Sequence, residues 1–135
     1  MNFDLPFIPE RTQQPRNHGL TMMMDKGLSL REAEHFVEGN AHLTDIVKFG
    51  FGTAYVTKNL EEKLQLYKDA GLRTYFGGTL FEAFYARGKF EDYLRLLDKY
   101  KMELAEVSDG SIIINHDEKL ELIHRLSKTR TVMSE

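Results

Sequence analysis

The chain has 135 residues, with 18 lysines and arginines against 21 aspartates and glutamates, a formal net charge of −3. At 41% hydrophobic and 29% charged it has the balance of a globular domain with one core; nothing basic enough to track nucleic acid is present, and no apolar run approaches the roughly 18–20 residues of a membrane span. The absence of cysteine removes disulfides, thiolate zinc sites and cysteine nucleophiles, so the chemistry falls to carboxylates, lysines, histidines or a hard metal ion. Met1-Asn2-Phe3-Asp4-Leu5-Pro6 lacks the basic start and apolar core of a signal peptide, and a cytoplasmic protein is the expectation.

Residues 1–18 hold all three prolines and no periodicity, and read as an irregular arm before a domain spanning 19–135. From there, short apolar runs at 20–25, 44–49, 72–76, 102–108 and 130–134 have the length of strands. Between them lie helical stripes: Ala33, Phe36 and Val37; then Leu60, Leu64 and Tyr67; then Phe90, Tyr93, Leu94 and Leu97; then Leu120, Ile123 and Leu126. Ser29 with Glu32, Thr79 with Glu82 and Asn115 with Glu118 have capping-box spacing, and Gly39 and Gly71 stand where helices should stop.

The pattern βαβαβαβαβ predicts parallel strands with right-handed helical crossovers. An open doubly wound sheet and a (β/α)8 TIM barrel both fit that rhythm. No dinucleotide-type glycine fingerprint follows the first strand, and polar residues inside the strands favour the barrel. A complete barrel takes roughly 250 residues, so the expectation is an incomplete barrel holding about the first five strands, whose two open edges invite self-association into a homo-oligomer.

Turn residues and charges collect at the carboxyl ends of these strands, where parallel α/β proteins place their sites. Those ends read Asp25-Lys26-Gly27, Lys48-Phe49-Gly50-Phe51-Gly52-Thr53, Gly77-Gly78-Thr79, Glu106-Val107-Ser108-Asp109-Gly110-Ser111 and Ser134-Glu135. Strand alternation turns Lys48, Glu106 and Ser108 inward, and Asp25 is read as sharing their side, so Asp25, Lys48, Glu106 and Glu135 are expected around one cavity mouth. Clustered carboxylates there suit Mg²⁺. Blander readings stand beside these. Lys48 and Glu106 also fit a structural ion pair, Glu82 fits a capping acid, and the glycines fit tight turns. His35 and His124 read as surface residues and Met22-Met23-Met24 as core packing, while Arg16 reads either as exposed or as an anion clamp.

Four of these stretches, taken together, resemble the phosphosulfolactate synthase family: Gly19-Leu20-Thr21 through Asp25-Lys26-Gly27, Val47-Lys48-Phe49-Gly50-Phe51-Gly52-Thr53, Gly77-Gly78-Thr79-Leu80-Phe81-Glu82, and Glu106-Val107-Ser108-Asp109-Gly110-Ser111. Their order and spacing agree over residues 16–135. The resemblance implies a TIM barrel, a Mg²⁺ requirement, and a lyase-type reaction. In that reaction sulfite adds to phosphoenolpyruvate, giving (2R)-phospho-3-sulfolactate on the coenzyme M route. For such a reaction, motif position and charge make Lys48, Lys26 and Glu82 the expected catalytic groups, Arg16, Asp25, Gly77, Gly78, Thr79 and Ser108 the expected substrate contacts, and Glu106, Asp109 and Glu135 the expected metal ligands. Relatives continue past the acid matching Glu135 through a glycine- and lysine-containing loop and three more strands, so 135 residues alone would lack part of the implied site. Two other functions fit the same residues: a non-catalytic or stress-related family member that binds a phosphorylated anion, and an aldolase-like enzyme forming a Schiff base on Lys48.

Overall fold

Five strands, each joined to the next by one or two α-helices, make up a computed structural model that describes residues 3–135; residues 1–2 of the expected arm lie outside the described residues. The strands are β1 (Met22–Asp25), β2 (Ile46–Phe49), β3 (Arg73–Phe76), β4 (Leu104–Val107) and β5 (Thr131–Ser134). The helices are α1 (Leu30–Asn40), α2 (Leu60–Asp69), α3 (Gly78–Tyr85), α4 (Phe90–Lys99) and α5 (His116–Ser127). No helix among the described residues is long and apolar enough to cross a membrane.

Local chemistry sets most of the boundaries. Ser29 opens α1 with the expected capping box, its hydroxyl accepting from the Glu32 N–H while the Glu32 carboxylate accepts from the Ser29 N–H. Asn115 caps α5, but by accepting from the N–H of Asp117 at 3.0 Å, and Glu118 takes no part. Gly71 follows α2 at φ 75°, the left-handed stop that glycine favours, whereas Gly39 lies inside the last turn of α1. The stretch between β3 and β4 holds two helices rather than one, separated at Gly88 (φ 65°). The Gly77 backbone caps α3 without a side chain, so Thr79 sits within the helix and the Thr79–Glu82 capping box does not form.

Strands β1, β2 and β3 form one parallel sheet in sequential order, β4 and β5 a second, and β3 lies alongside β4 without a ladder between them. One face carries Val47, Phe49, Phe76, Ala105 and Val107 into a core shared with Tyr67, Phe81, Tyr93, Leu97 and Leu126 of the helices. The other holds Ile46, Tyr75 and Leu104 with Met133, all from strands. Doubly wound sheets reverse strand order and cover both faces with helices. Here the order does not reverse and the helices pack on one face, the winding of a TIM-barrel-like family.

Register corrects one expectation. Asp25 pairs with Phe49, and Phe49 with Phe76, so all three side chains share the helix-packed face. Asp25 is therefore directed away from Lys48 and fully buried. It accepts from Lys63 Nζ at 2.7 Å, Tyr67 Oη at 2.9 Å, and the N–H groups of Gly27 and Leu28 at 2.9 and 2.8 Å. Burial opposes its ionisation, but the Lys63 ammonium and those donors outweigh it and hold the carboxyl below the ordinary carboxylate value. Lys63 Nζ donates as well to the Leu28 carbonyl at 2.7 Å and stands over the Phe49 ring. The cluster ties α2 to the β1–α1 loop.

Removing one partner of such a pair strands a buried charge, so Lys63→Met should lower unfolding free energy by about 3–5 kcal/mol in urea denaturation. Because the Asp25 pKa is depressed on folding, its stabilisation is complete above the ordinary value of 3.8 and is lost as pH falls below it through the lowered folded value. Asp25→Asn should accordingly flatten the acid limb of a stability–pH curve; an unchanged slope there would contradict the assignment.

Candidate active site

Lys48 on β2 and Glu106 on β4 project from the strand face opposite the helices, close to the carboxyl ends of their strands. Lys48 Nζ lies 2.8 Å from Glu106 Oε1 and 3.9 Å from Glu135 Oε2. The convergence expected of Lys48, Glu106 and Glu135 is thus present, and the ion pair read as the blander possibility is part of it. Tyr75 of β3 stands beside Glu106; burial and the neighbouring carboxylate both push its phenol up, so it stays protonated.

Two glycines make this approach possible. A Cβ on Gly77 would fall 2.8 Å from Lys48 Cε, and one on Gly78 would fall 2.7 Å from Glu106 Oε1 and 2.3 Å from Ser108 Cβ. The Gly78 N–H donates to Glu106 Oε1 at 2.9 Å, so Glu106 accepts from both a backbone donor and an ammonium. Thr79, expected with these glycines as a substrate contact, is exposed at the first turn of α3.

Glu82 is held for a different purpose than capping. Its Oε1 accepts from Ser108 Oγ at 2.6 Å and from the Ser111 N–H at 3.3 Å, while its buried Oε2 has no protein partner among the described residues. Ser108 is buried, with its hydroxyl committed to Glu82. Together they fasten the β4–α5 loop to α3. Lys26 is exposed at the end of β1, its Nζ 5.4 Å from the Phe51 ring centroid. That contact spans the loops after β1 and β2, where Phe51 and Gly52 both take left-handed φ values of 53° and 68°.

Two expected residues lie elsewhere. Arg16 pairs with Asp45 at 2.9 Å, just before β2, and Asp45 also accepts from the Thr21 N–H at 2.8 Å. Arg16 is thereby fixed at the amino ends of β1 and β2, the length of a strand away from Lys48. Burial works against the Asp45 charge, but the Thr21 N–H and the Arg16 guanidinium outweigh it and hold this carboxyl low as well. Asp25 is on the helix-packed face, as described above.

The expected Mg²⁺ ligands do not assemble. Among the described residues no group of three histidines, aspartates or glutamates is placed to hold a metal ion. Asp109 is bound to Lys119 at 2.7 Å, and Glu106 is engaged by Lys48 and Gly78. Glu135, with its side chain 66% exposed, has the Lys48 ammonium 3.9 Å away. Lys119 further donates to the Glu135 backbone carbonyl, joining the loop after β4 to the end of β5.

Residues 9–135 match the family model described as (2R)-phospho-3-sulfolactate synthase (ComA). The chain belongs to the phosphosulfolactate synthase family. It is 34% identical to the phosphosulfolactate synthase of Bacillus subtilis over 95% of its own length and 51% of that protein. With the Methanocaldococcus jannaschii phosphosulfolactate synthase it shares 41% identity over 79% of this chain and 43% of the relative. The corresponding enzyme of Methanothermobacter thermautotrophicus is 34% identical over 85% and 45%. The chain therefore spans about half the length of these family members.

Sequence reading missed Lys63, Tyr67, Tyr75 and Lys119. A signal for the first was present: Lys63 falls in the apolar stripe of Leu60, Leu64 and Tyr67, where a lysine needs a buried acid. The steric demand at the glycine pair gives a contrast between two substitutions in this family member. Gly78→Ala should destabilise by about 1–3 kcal/mol through overpacking. Gly39→Ala, with nothing within 4 Å of the added carbon, should stabilise by about 0.5–1 kcal/mol. Thermal unfolding of the two variants checks both signs.

Proposed function

We propose that this chain forms the first half of the (β/α)8 barrel of a phosphosulfolactate synthase-like lyase. In the reaction, the sulfite sulfur attacks the methylene carbon of phosphoenolpyruvate. The C–S bond forms as the double-bond electrons move onto C2 and its carboxylate, and a proton then adds to C2 to give (2R)-phospho-3-sulfolactate. The observation that carries the reading is Lys48, held by Glu106 beneath the glycine turn at the carboxyl ends of the strands, in a chain of this family.

Substrate, nucleophile and the charge developing on the carboxylate are all anionic, so the barrier is lowered by fixed cations. Lys48 is the cation oriented by the protein. Glu106 holds its direction, and Lys26 lies at the rim where a phosphate or sulfite would arrive. Glu82 keeps the β4–α5 loop in place through Ser108, and its buried open oxygen is available to a proton or a bound water. Thr79 and the first turn of α3 suit an anion's oxygens. A Mg²⁺ requirement is part of the proposal on the family's account. This segment supplies at most Glu135 from its rim, and no step above is routed through the metal. Lys48 bound to Glu106 is arranged as a positioned cation rather than as the free amine that a Schiff base needs.

The test is a fusion of this chain to the C-terminal half of the Bacillus subtilis relative, assayed with phosphoenolpyruvate, Mg²⁺ and sulfite. Loss of the enol absorbance should require sulfite, and Lys48→Gln should lower kcat/KM by about 100-fold, the loss typical of one transition-state donor. A folded fusion that consumes phosphoenolpyruvate without sulfite, binds it without turnover, or is indifferent to Lys48→Gln would reject the proposal.

A further inference from the structure

A cavity of about 580 Å³ lies between α2 and α4, at the amino ends of β3 and β4, and none of the rim residues Lys48, Glu106 or Glu135 lines it. Glu61, Leu64, Gln65 and Lys68 supply one wall, at the i, i+3, i+4, i+7 spacing of a single helix face. Lys99, Tyr100 and Lys101 supply the other, and Arg73 stands at the start of β3. Leu72 and Tyr100 give it an apolar floor. Four cations (Lys68, Arg73, Lys99, Lys101) face two acids (Glu61, Glu103), a surplus of two positive charges on a chain whose net charge is −3. None of the six forms an ion pair among the described residues.

Two of the cations have an ordinary explanation. Lys68 and Lys99 lie in the last turns of α2 and α4, where the helix dipole favours positive charge. Lys101 does not. Three helices of this chain end in the same hydrogen-bonded stop. After α2 the N–H groups of Gly71 and Leu72 reach Lys68 and Tyr67. After α3, Gly88 and Lys89 reach Tyr85 and Phe84, and after α4, Lys101 and Met102 reach Asp98 and Leu97. The left-handed position is glycine in the first two, at φ 75° and 65°, but lysine in the third, at φ 53°. A side chain there carries a conformational cost that glycine avoids. This side chain lines the groove, and a strained backbone carrying a functional group is a pointer to a site.

We infer that the groove between α2 and α4 is a second anion site, built to bind a compact polyphosphate or a multiply phosphorylated small molecule against Arg73 and Lys101. The inference does not rest on the synthase reading, since it uses none of the rim residues.

Isothermal titration of the 135-residue chain with tripolyphosphate at low salt reads the site directly. A saturable single site is expected. Lys101→Gly should leave the melting temperature unchanged or raised, because glycine suits the left-handed backbone, yet weaken tripolyphosphate about tenfold. Arg73→Gln should weaken it by a similar factor, and Lys48→Gln should leave it within twofold. Heat that does not saturate, a Lys101→Gly chain that binds as tightly as the parent, or binding abolished by Lys48→Gln would each overturn the inference.

Discussion

A lysine and a glutamate 58 positions apart in the chain meet 2.8 Å from one another, beneath a turn of two residues without side chains. That contact depends on everything around it. Parallel register must aim both residues away from the helices, β3 must carry Tyr75 between them, and Gly77 and Gly78 must leave open the space that the lysine stem and the carboxylate occupy. A partly buried charge pair is stable only when its remaining polar atoms are satisfied. The Gly78 N–H adds a second donor to the Glu106 oxygen that Lys48 holds, so the turn, the pair and the strand order form one constraint.

A second charge pair, Lys63 with Asp25, lies on the opposite face of the sheet and is wholly buried. The two pairs divide the work. Asp25 accepts from four donors and organises the loop that follows β1, so its charge is spent inside the protein. Lys48 keeps part of its side chain accessible and has a second carboxylate within 4 Å, so its field reaches outward. Acid–lysine pairs of similar length thus play different roles according to the face on which they lie. The Lys119–Asp109 and Arg16–Asp45 pairs extend the same logic to the two ends of the strands, one fastening the loop after β4 and the other anchoring the arm.

Much of the architecture was legible in the chain. All five strands fall within the expected runs because a short apolar segment flanked by helical stripes has few other places to go. The Ser29 capping box and the Gly71 stop formed as read because both are decided within a few residues. Errors arose where a local signal competed with a distant one. Thr79 and Glu82 have capping-box spacing, yet Glu82 is drawn inward by Ser108, just past the end of β4, and the Gly77 backbone begins the helix instead. Local spacing leaves Arg16 either exposed or an anion clamp, and the structure gives it a third place, paired with Asp45 at the amino ends of the strands.

Composition, periodicity and the placement of glycine and charge at strand ends determined the α/β class, the parallel winding and the rim where Lys48, Glu106 and Glu135 meet, because each follows from period-two and period-3.6 patterns along the chain. Tertiary structure alone decided which face each β1 residue takes, that Asp25 belongs to Lys63 and Tyr67, and that Asp109 is neutralised by Lys119 rather than joined to a carboxylate cluster. The reason is physical: a charge leaving water takes the nearest compensating partner in space, and sequence separation carries almost no information about that distance.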